Sequence, residues 1–127
     1  MNVIFIDDDE DLNYLQEKMC AQSSRISNYF IATSAHQTLD YLSNTNTPPD
    51  IIFVDINMPV MNGFEFIELY EKEYASRFPD TQLYVVSSSI RAQDRKKALE
   101  YESVQDFLEK PLTKEKLENI FYQYAKT

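Results

Sequence analysis

Glycine, cysteine and histidine each occur once in this chain of 127 residues, and tryptophan is missing. The single glycine, Gly63, excludes a GxxxxGK phosphate loop and with it a P-loop nucleotide enzyme. The single cysteine, Cys20, excludes an internal disulfide and reads as a core or partly buried thiol rather than a reactive one. His36 stands alone near the start of a helical stretch and reads as a surface residue, not a metal ligand. No apolar run reaches membrane-spanning length, and no charged-then-apolar leader opens the chain, so neither insertion nor export is expected. Basic charge is also scarce: 12 Lys and Arg face 21 Asp and Glu, a formal net charge of −9. Such a molecule repels nucleic acid phosphates and anionic lipid heads, so direct DNA binding is not expected. The expectation is a soluble, cytoplasmic protein.

With 43% hydrophobic residues, the chain suits one domain with one core over 1–127. Short apolar runs alternate with stretches of helical period. Val3–Ile6, Tyr29–Thr33, Ile51–Val54, Leu83–Val86 and Asp106–Leu108 read as strands. Between them, Leu12, Leu15 and Met19, then Leu39 and Leu42 after a cap at Ser34, then Ile67, Tyr70 and Tyr74 mark helical faces. Leu117, Ile120, Phe121 and Tyr124 form the clearest one, with Thr113 as its cap. Arg91, Arg95, Lys96 and Lys97 make a basic segment on the fourth helix, read as a solvated face that borders a potential partner surface. Strands alternating with helices predict a mostly parallel α/β sheet covered on both faces, and the polar stretch Asn44–Pro49 is a connection.

Placed on that scaffold, the acidic residues converge. Sites in open α/β sheets form beyond the carboxyl ends of the strands. Asp7, Asp8 and Asp9 follow the first strand there, and Asp55 ends the third. A DDDED run alone reads as a solvated helix start that complements the helix dipole. The conjunction argues otherwise, because Ser87 follows the fourth strand and Lys110 the fifth at the same edge. Clustered carboxylates repel one another unless a cation neutralises them, and Mg²⁺, a hard ion that prefers oxygen, is the natural choice.

At these residues the chain resembles the receiver-domain family of two-component response regulators, the CheY-like superfamily, along essentially its whole length. VIFIDDDEDL is similar to the family's first strand and acidic pair, which carries over to Asp7 and Asp8 and leaves Asp9 without an assigned role. IIFVDINMPVMNGFEF resembles the phosphoacceptor segment, with Asp55 as acceptor and the Asn57 backbone carbonyl as a metal ligand. VVSSSI is similar to the strand that ends in the switch hydroxyl, here Ser87. FLEKPL resembles the closing signature, with Phe107 as switch aromatic, Lys110 as phosphate-binding lysine and Pro111 after a bond that is usually cis in the family.

The resemblance implies a flavodoxin-like, doubly wound sheet of five parallel strands in the order 2-1-3-4-5. It implies a stand-alone response regulator that takes a phosphoryl group on Asp55 from a sensor histidine kinase or a phosphotransfer protein, with Mg²⁺, and signals to a downstream protein target. It also implies self-catalysed phosphorylation with slow dephosphorylation rather than conventional enzyme activity, and a possible homodimer through the fourth helix, fifth strand and fifth helix. On phosphorylation, Ser87 is drawn toward the phosphate and Phe107 rotates inward. Three departures stand out: YESV at 101–104 replaces the usual Gly-Ala turn, Phe107 lacks a tyrosine hydroxyl, and Asn57 and Ser89 occupy positions that tune phosphoryl lifetime in the family. Two rivals fail on residues. Asp7–Glu10 would repel a flavin phosphate, and an aspartyl phosphatase wants an acid where Asn57 stands. A phosphorylation-independent interaction module on the same fold is the alternative.

Overall fold

The computed structural model describes residues 1–89 and 91–126; Ile90, which closes the VVSSSI stretch, lies outside the described residues. The apolar segments form β1 (Asn2–Ile6), β2 (Asn28–Ala32), β3 (Ile51–Asp55), β4 (Gln82–Ser87) and β5 (Val104–Glu109). Helices α1 (Glu10–Gln22), α2 (Ala35–Asn44), α3 (Gly63–Glu73), α4 (Ala92–Glu100) and α5 (Lys114–Ala125) follow them in alternation. The strands pair in parallel in the order β2-β1-β3-β4-β5, the doubly wound, flavodoxin-like arrangement expected.

Strand alternation divides the core in two. Val3, Phe5, Ile51 and Phe53 pack with Cys20 of α1 and with Leu117 and Phe121 of α5. Ile4, Ile6, Ile52 and Val54 pack with Leu42 of α2, Phe66, Ile67 and Tyr70 of α3, and Ala98 of α4. Central β3 is buried at every residue, which is why it reads as an unbroken apolar run, whereas β2 at the sheet edge exposes Asn28 and Tyr29. Cross-strand partners Phe5, Phe53 and Tyr84 stack across three strands, with ring centroids 4.8 and 5.6 Å apart. Each such side chain contributes roughly 1.5–3 kcal/mol of burial.

The caps at Ser34 and Thr113 are in place, accepting from the Gln37 and Lys116 amides. Asn62 and Glu65 add a reciprocal capping box at α3. The expected face of α1 needs correcting at Leu15, while Met19 packs against the core and Leu12 is half-buried. Asn13, Gln16 and Cys20 are buried, while Leu15 is 55% exposed beside an exposed Tyr14. Asp9 caps this helix through the Asp11 and Leu12 amides, and Asn13 bonds the backbone of Asp7, so polar anchoring rather than apolar period fixes the rotation of α1.

The YESV stretch brings β5 in through an irregular register against β4 at Leu83 and Tyr84. It is tied to α3: the Tyr101 hydroxyl donates to Glu68 at 2.8 Å and the Ser103 amide to Glu71 at 2.8 Å. These two bonds do the fastening that a tight small-residue turn would otherwise do.

Gly63 is required by close approach. Its amide donates to the Ile56 carbonyl at 3.1 Å. A Cβ there would overlap the Asp55 carbonyl oxygen and lie 2.7 Å from Ile56 Cα, both backbone atoms that cannot swing away. Gly63→Ala should therefore destabilise the fold by about 2 kcal/mol, read as a lower urea midpoint at unchanged slope.

Candidate functional site

The register aligns the carboxyl ends of the inner strands. Ile6 pairs with Val54, Asp55 with Val86, and Ser87 with Glu109, so Asp7, Asp55, Ser87 and Lys110 stand along one edge. Strand geometry alone brings together residues that span more than a hundred positions in sequence.

Asp7 and Asp55 are buried, at 3% and 5% exposure, and Asp8 is exposed. Lys110 Nζ lies 2.6 Å from Asp7 Oδ2 and 3.4 Å from Asp55 Oδ2, a single ammonium between two carboxylates. The remaining oxygens face backbone amides: Asp7 Oδ1 accepts from Asp9 at 2.9 Å and Asp55 Oδ1 from Asn57 at 3.2 Å. Burial, then repulsion from Asp7, pushes the Asp55 pKa up against the opposing pull of Lys110 and the Asn57 amide. Burial acts against the Lys110 charge, but its bonds to Asp7 and Asp55 prevail and its pKa is raised.

Asp7, Asp8 and Asp55 each offer an oxygen within 4.8 Å of the others. Three carboxylates less one ammonium leave two uncompensated negative charges, matching a divalent cation, and hard oxygen donors suit an ion that retains water. The donor set therefore fits a metal of the magnesium class.

The other predicted residues surround this cluster. Ser87 is fully buried, and its Oγ accepts from the Ser89 amide at 3.0 Å while its carbonyl accepts from the Lys110 amide at 2.9 Å. The end of β4 thus holds the backbone of Lys110 directly. The Lys110–Pro111 peptide is cis, as the resemblance implied. Phe107 is buried, 8% exposed, within the core on the α2, α3 and α4 side. Its carbonyl accepts from Arg95 at 3.2 Å, and Arg95 also lies 3.6 Å from Asp106, so one member of the basic segment binds α4 to β5. Ser89 donates to Asp94 at the start of α4. Asn57 and Val60 sit on the exposed loop after β3, with Val60 in the left-handed region at φ 68°. His36 is exposed, and Cys20 is buried with its thiol pKa pushed up to about 12 by burial and by Glu17. Two contributors escaped the sequence reading: Asp9, whose place before Glu10 is a cap signal, and Asn13, for which the sequence offers none.

The model of the response regulator receiver domain matches residues 3–122. The chain belongs to this family. Among curated relatives, the receiver is 32% identical over 70% of its length to the sensor histidine kinase CheAY of Helicobacter pylori. It is 28% identical over 93% to the transcriptional regulatory protein DcuR of Escherichia coli K12. It spans 11% and 47% of those proteins, and 51% of a probable C4-dicarboxylate response regulator, DctR, of Halalkalibacterium halodurans. Among solved structures, a two-component response regulator from Cytophaga hutchinsonii is 29% identical with a TM-score of 0.89, covering 99% of this chain and 97% of that one. One from Legionella pneumophila is 27% identical with a TM-score of 0.84, covering 100% and 99%. Among the described residues no helix is long and apolar enough to cross a membrane.

Because the folded Asp55 holds its proton more tightly than the unfolded chain does, its ionisation lowers stability as pH climbs from about 4 through the raised folded value. Asp55→Asn should therefore stabilise the metal-free protein near pH 7, on the order of 1 kcal/mol. The gain should vanish below about pH 4, where both states of the wild type carry a neutral Asp55. Thermal melts across this range check it.

Proposed function

We propose that Asp55 is the phosphoacceptor, taking a phosphoryl group from a phosphohistidine on a sensor histidine kinase or phosphotransfer protein. An Asp55 carboxylate oxygen attacks phosphorus, the P–N bond breaks, and the imidazole leaves with its electron pair, giving an acyl phosphate. Asp7, Asp8, Asp55 and the Asn57 carbonyl would hold Mg²⁺, which when bound supplies positive charge to the phosphoryl oxygens. Lys110 supplies more, and such electrostatic balance is where catalysis of phosphoryl transfer mostly lies. The domain then catalyses its own phosphorylation and a slow dephosphorylation without being a conventional enzyme. The observation that carries this reading is the Lys110 ammonium bridging Asp7 and Asp55 at the strand ends.

Output follows from the bonds around that ammonium. Once Asp55 carries a phosphoryl group, Lys110 and the Ser87 hydroxyl gain a new set of acceptor oxygens. The Lys110 amide on the Ser87 carbonyl and the Arg95 bond to the Phe107 carbonyl relay the change to α4 and β5. Phe107, expected as the switch aromatic that rotates inward, already packs in the core here, so the relay runs through its backbone carbonyl. The α4, β5 and α5 face is then the surface for a downstream protein target or for a second copy in a homodimer. End-to-end matches to the two solved regulators support one receiver domain over residues 1–127. The net charge of −9 argues for protein contacts over direct nucleic acid binding. A free buried thiol suits a cytoplasmic location.

Intact-mass spectrometry after incubation with a small phosphodonor tests the assignment. The wild type should gain about 80 Da for one phosphoryl group, dependent on Mg²⁺, and Asp55→Asn should not. Undiminished labelling of the variant would remove Asp55 from the role. No labelling of the wild type would favour the phosphorylation-independent module.

A further inference from the structure

Asn13 occupies a core-facing position of α1 where an apolar residue would pack at less cost. It is 7% exposed, and its Nδ2 donates to the Asp7 carbonyl at 2.7 Å. The cost is visible beside it: Asn13 Oδ1 and Gln16 Oε1, on the same buried face, have no hydrogen-bond partner among the described residues, and Leu15 is turned outward. Buried polar atoms left unpaired are unfavourable, so a geometry that retains them is held by something of greater weight.

We propose that Asn13 is a positioning residue for the carboxylate cluster, acting by fixing the peptide plane that joins Asp7 to Asp8. The Asp7 carbonyl and the Asp8 amide lie in one rigid plane. Holding that oxygen at 2.7 Å sets the direction in which the chain leaves β1 and hence where the Asp8 side chain starts. The preceding and following links are already held by backbone amides, Asp7 N to the Ala32 carbonyl at 3.0 Å and Asp9 N to Asp7 Oδ1 at 2.9 Å. Asn13 supplies the restraint between them, and the Asp9 cap ties the same turn into α1. The rotation of α1 and the aim of the acidic loop are thus one feature. Partners that orient ligating groups through a hydrogen bond are typically worth 10- to 100-fold in metal affinity.

This rests on the reading of Asp7 and Asp8 as metal-binding residues, so Asp8→Ala is measured alongside. Asn13→Leu and Asn13→Ala both remove the donating amide; the first fills the space, and the second serves if the first does not fold. The readouts are melting temperature without metal, Mg²⁺ affinity by calorimetric titration, and hydrogen exchange in the metal-free protein at the Asp9 amide, which donates to Asp7 Oδ1. Asn13→Leu should keep or raise the melting temperature, weaken Mg²⁺ binding about tenfold, and speed exchange at Asp9. Asn13→Gln, which retains an amide donor, should recover part of the affinity. If Asp8→Ala weakens binding while both amide-lacking variants bind Mg²⁺ as wild type does, the role of Asn13 is overturned and the metal site stands. If affinity falls only in step with melting temperature, Asn13 serves the fold alone and the proposal fails. If Asp8→Ala leaves affinity unchanged, the metal-site reading falls and the positioning role falls with it.

Discussion

One half-buried ammonium decides how this edge of the sheet can exist. Lys110 lies 2.6 Å from Asp7 and 3.4 Å from Asp55, and without it two carboxylates would share a poorly solvated space with only the Asp9 and Asn57 amides to offset their repulsion. The compensation is deliberately incomplete in its arithmetic: Asp8 adds a third carboxylate, and the cluster keeps room for two more positive charges. A site fully neutralised by lysines would be more stable and would have no use for a divalent ion. On the proposed function, that deficit is what a divalent ion would fill before a phosphoryl group could be accommodated.

Everything that holds Lys110 in place belongs to the sheet. β5 ends one residue before it, its amide hangs on the Ser87 carbonyl, and Asp7 stands on the neighbouring side because β1 lies beside β3. The aromatic row of Phe5, Phe53 and Tyr84 packs the same three strands from the α1 and α5 side. Core packing and site geometry are therefore one problem: a shift of an inner strand by one residue would send its side chains into the opposite core layer and withdraw its acidic or basic group from the edge. Gly63 adds a local version of the same constraint, letting α3 start against the backbone of the strand that carries Asp55.

Much of this was legible in the sequence, for physical reasons. β3 reads as a strand because both of its faces are covered, and α5 reads as a helix because its stripe of Leu117, Ile120 and Phe121 has one apolar core to face. Asp7, Asp8, Asp55, Ser87 and Lys110 could be placed together because parallel topology sends all carboxyl ends to one edge. Period alone misplaced part of the α1 face: of Leu12, Leu15 and Met19, Met19 packs against the core and Leu12 is half-buried, but Leu15 turns outward. The helix instead buries Asn13 and Gln16, obeying hydrogen bonds to a loop that is distant in no sequence sense but invisible to hydropathy. The attachment of YESV to α3 through Glu68 and Glu71 was equally hidden, because it joins residues more than thirty positions apart by side-chain bonds.

The most direct measurement is a pH titration of the Asp55 side-chain carboxyl carbon by NMR in metal-free protein, in wild type and in Lys110→Met. The account predicts a wild-type midpoint above the ordinary aspartate value of about 4, a still higher one without the ammonium, and a fall when Mg²⁺ is added to the wild type. An ordinary wild-type midpoint that moves with neither Lys110→Met nor Mg²⁺ would contradict it.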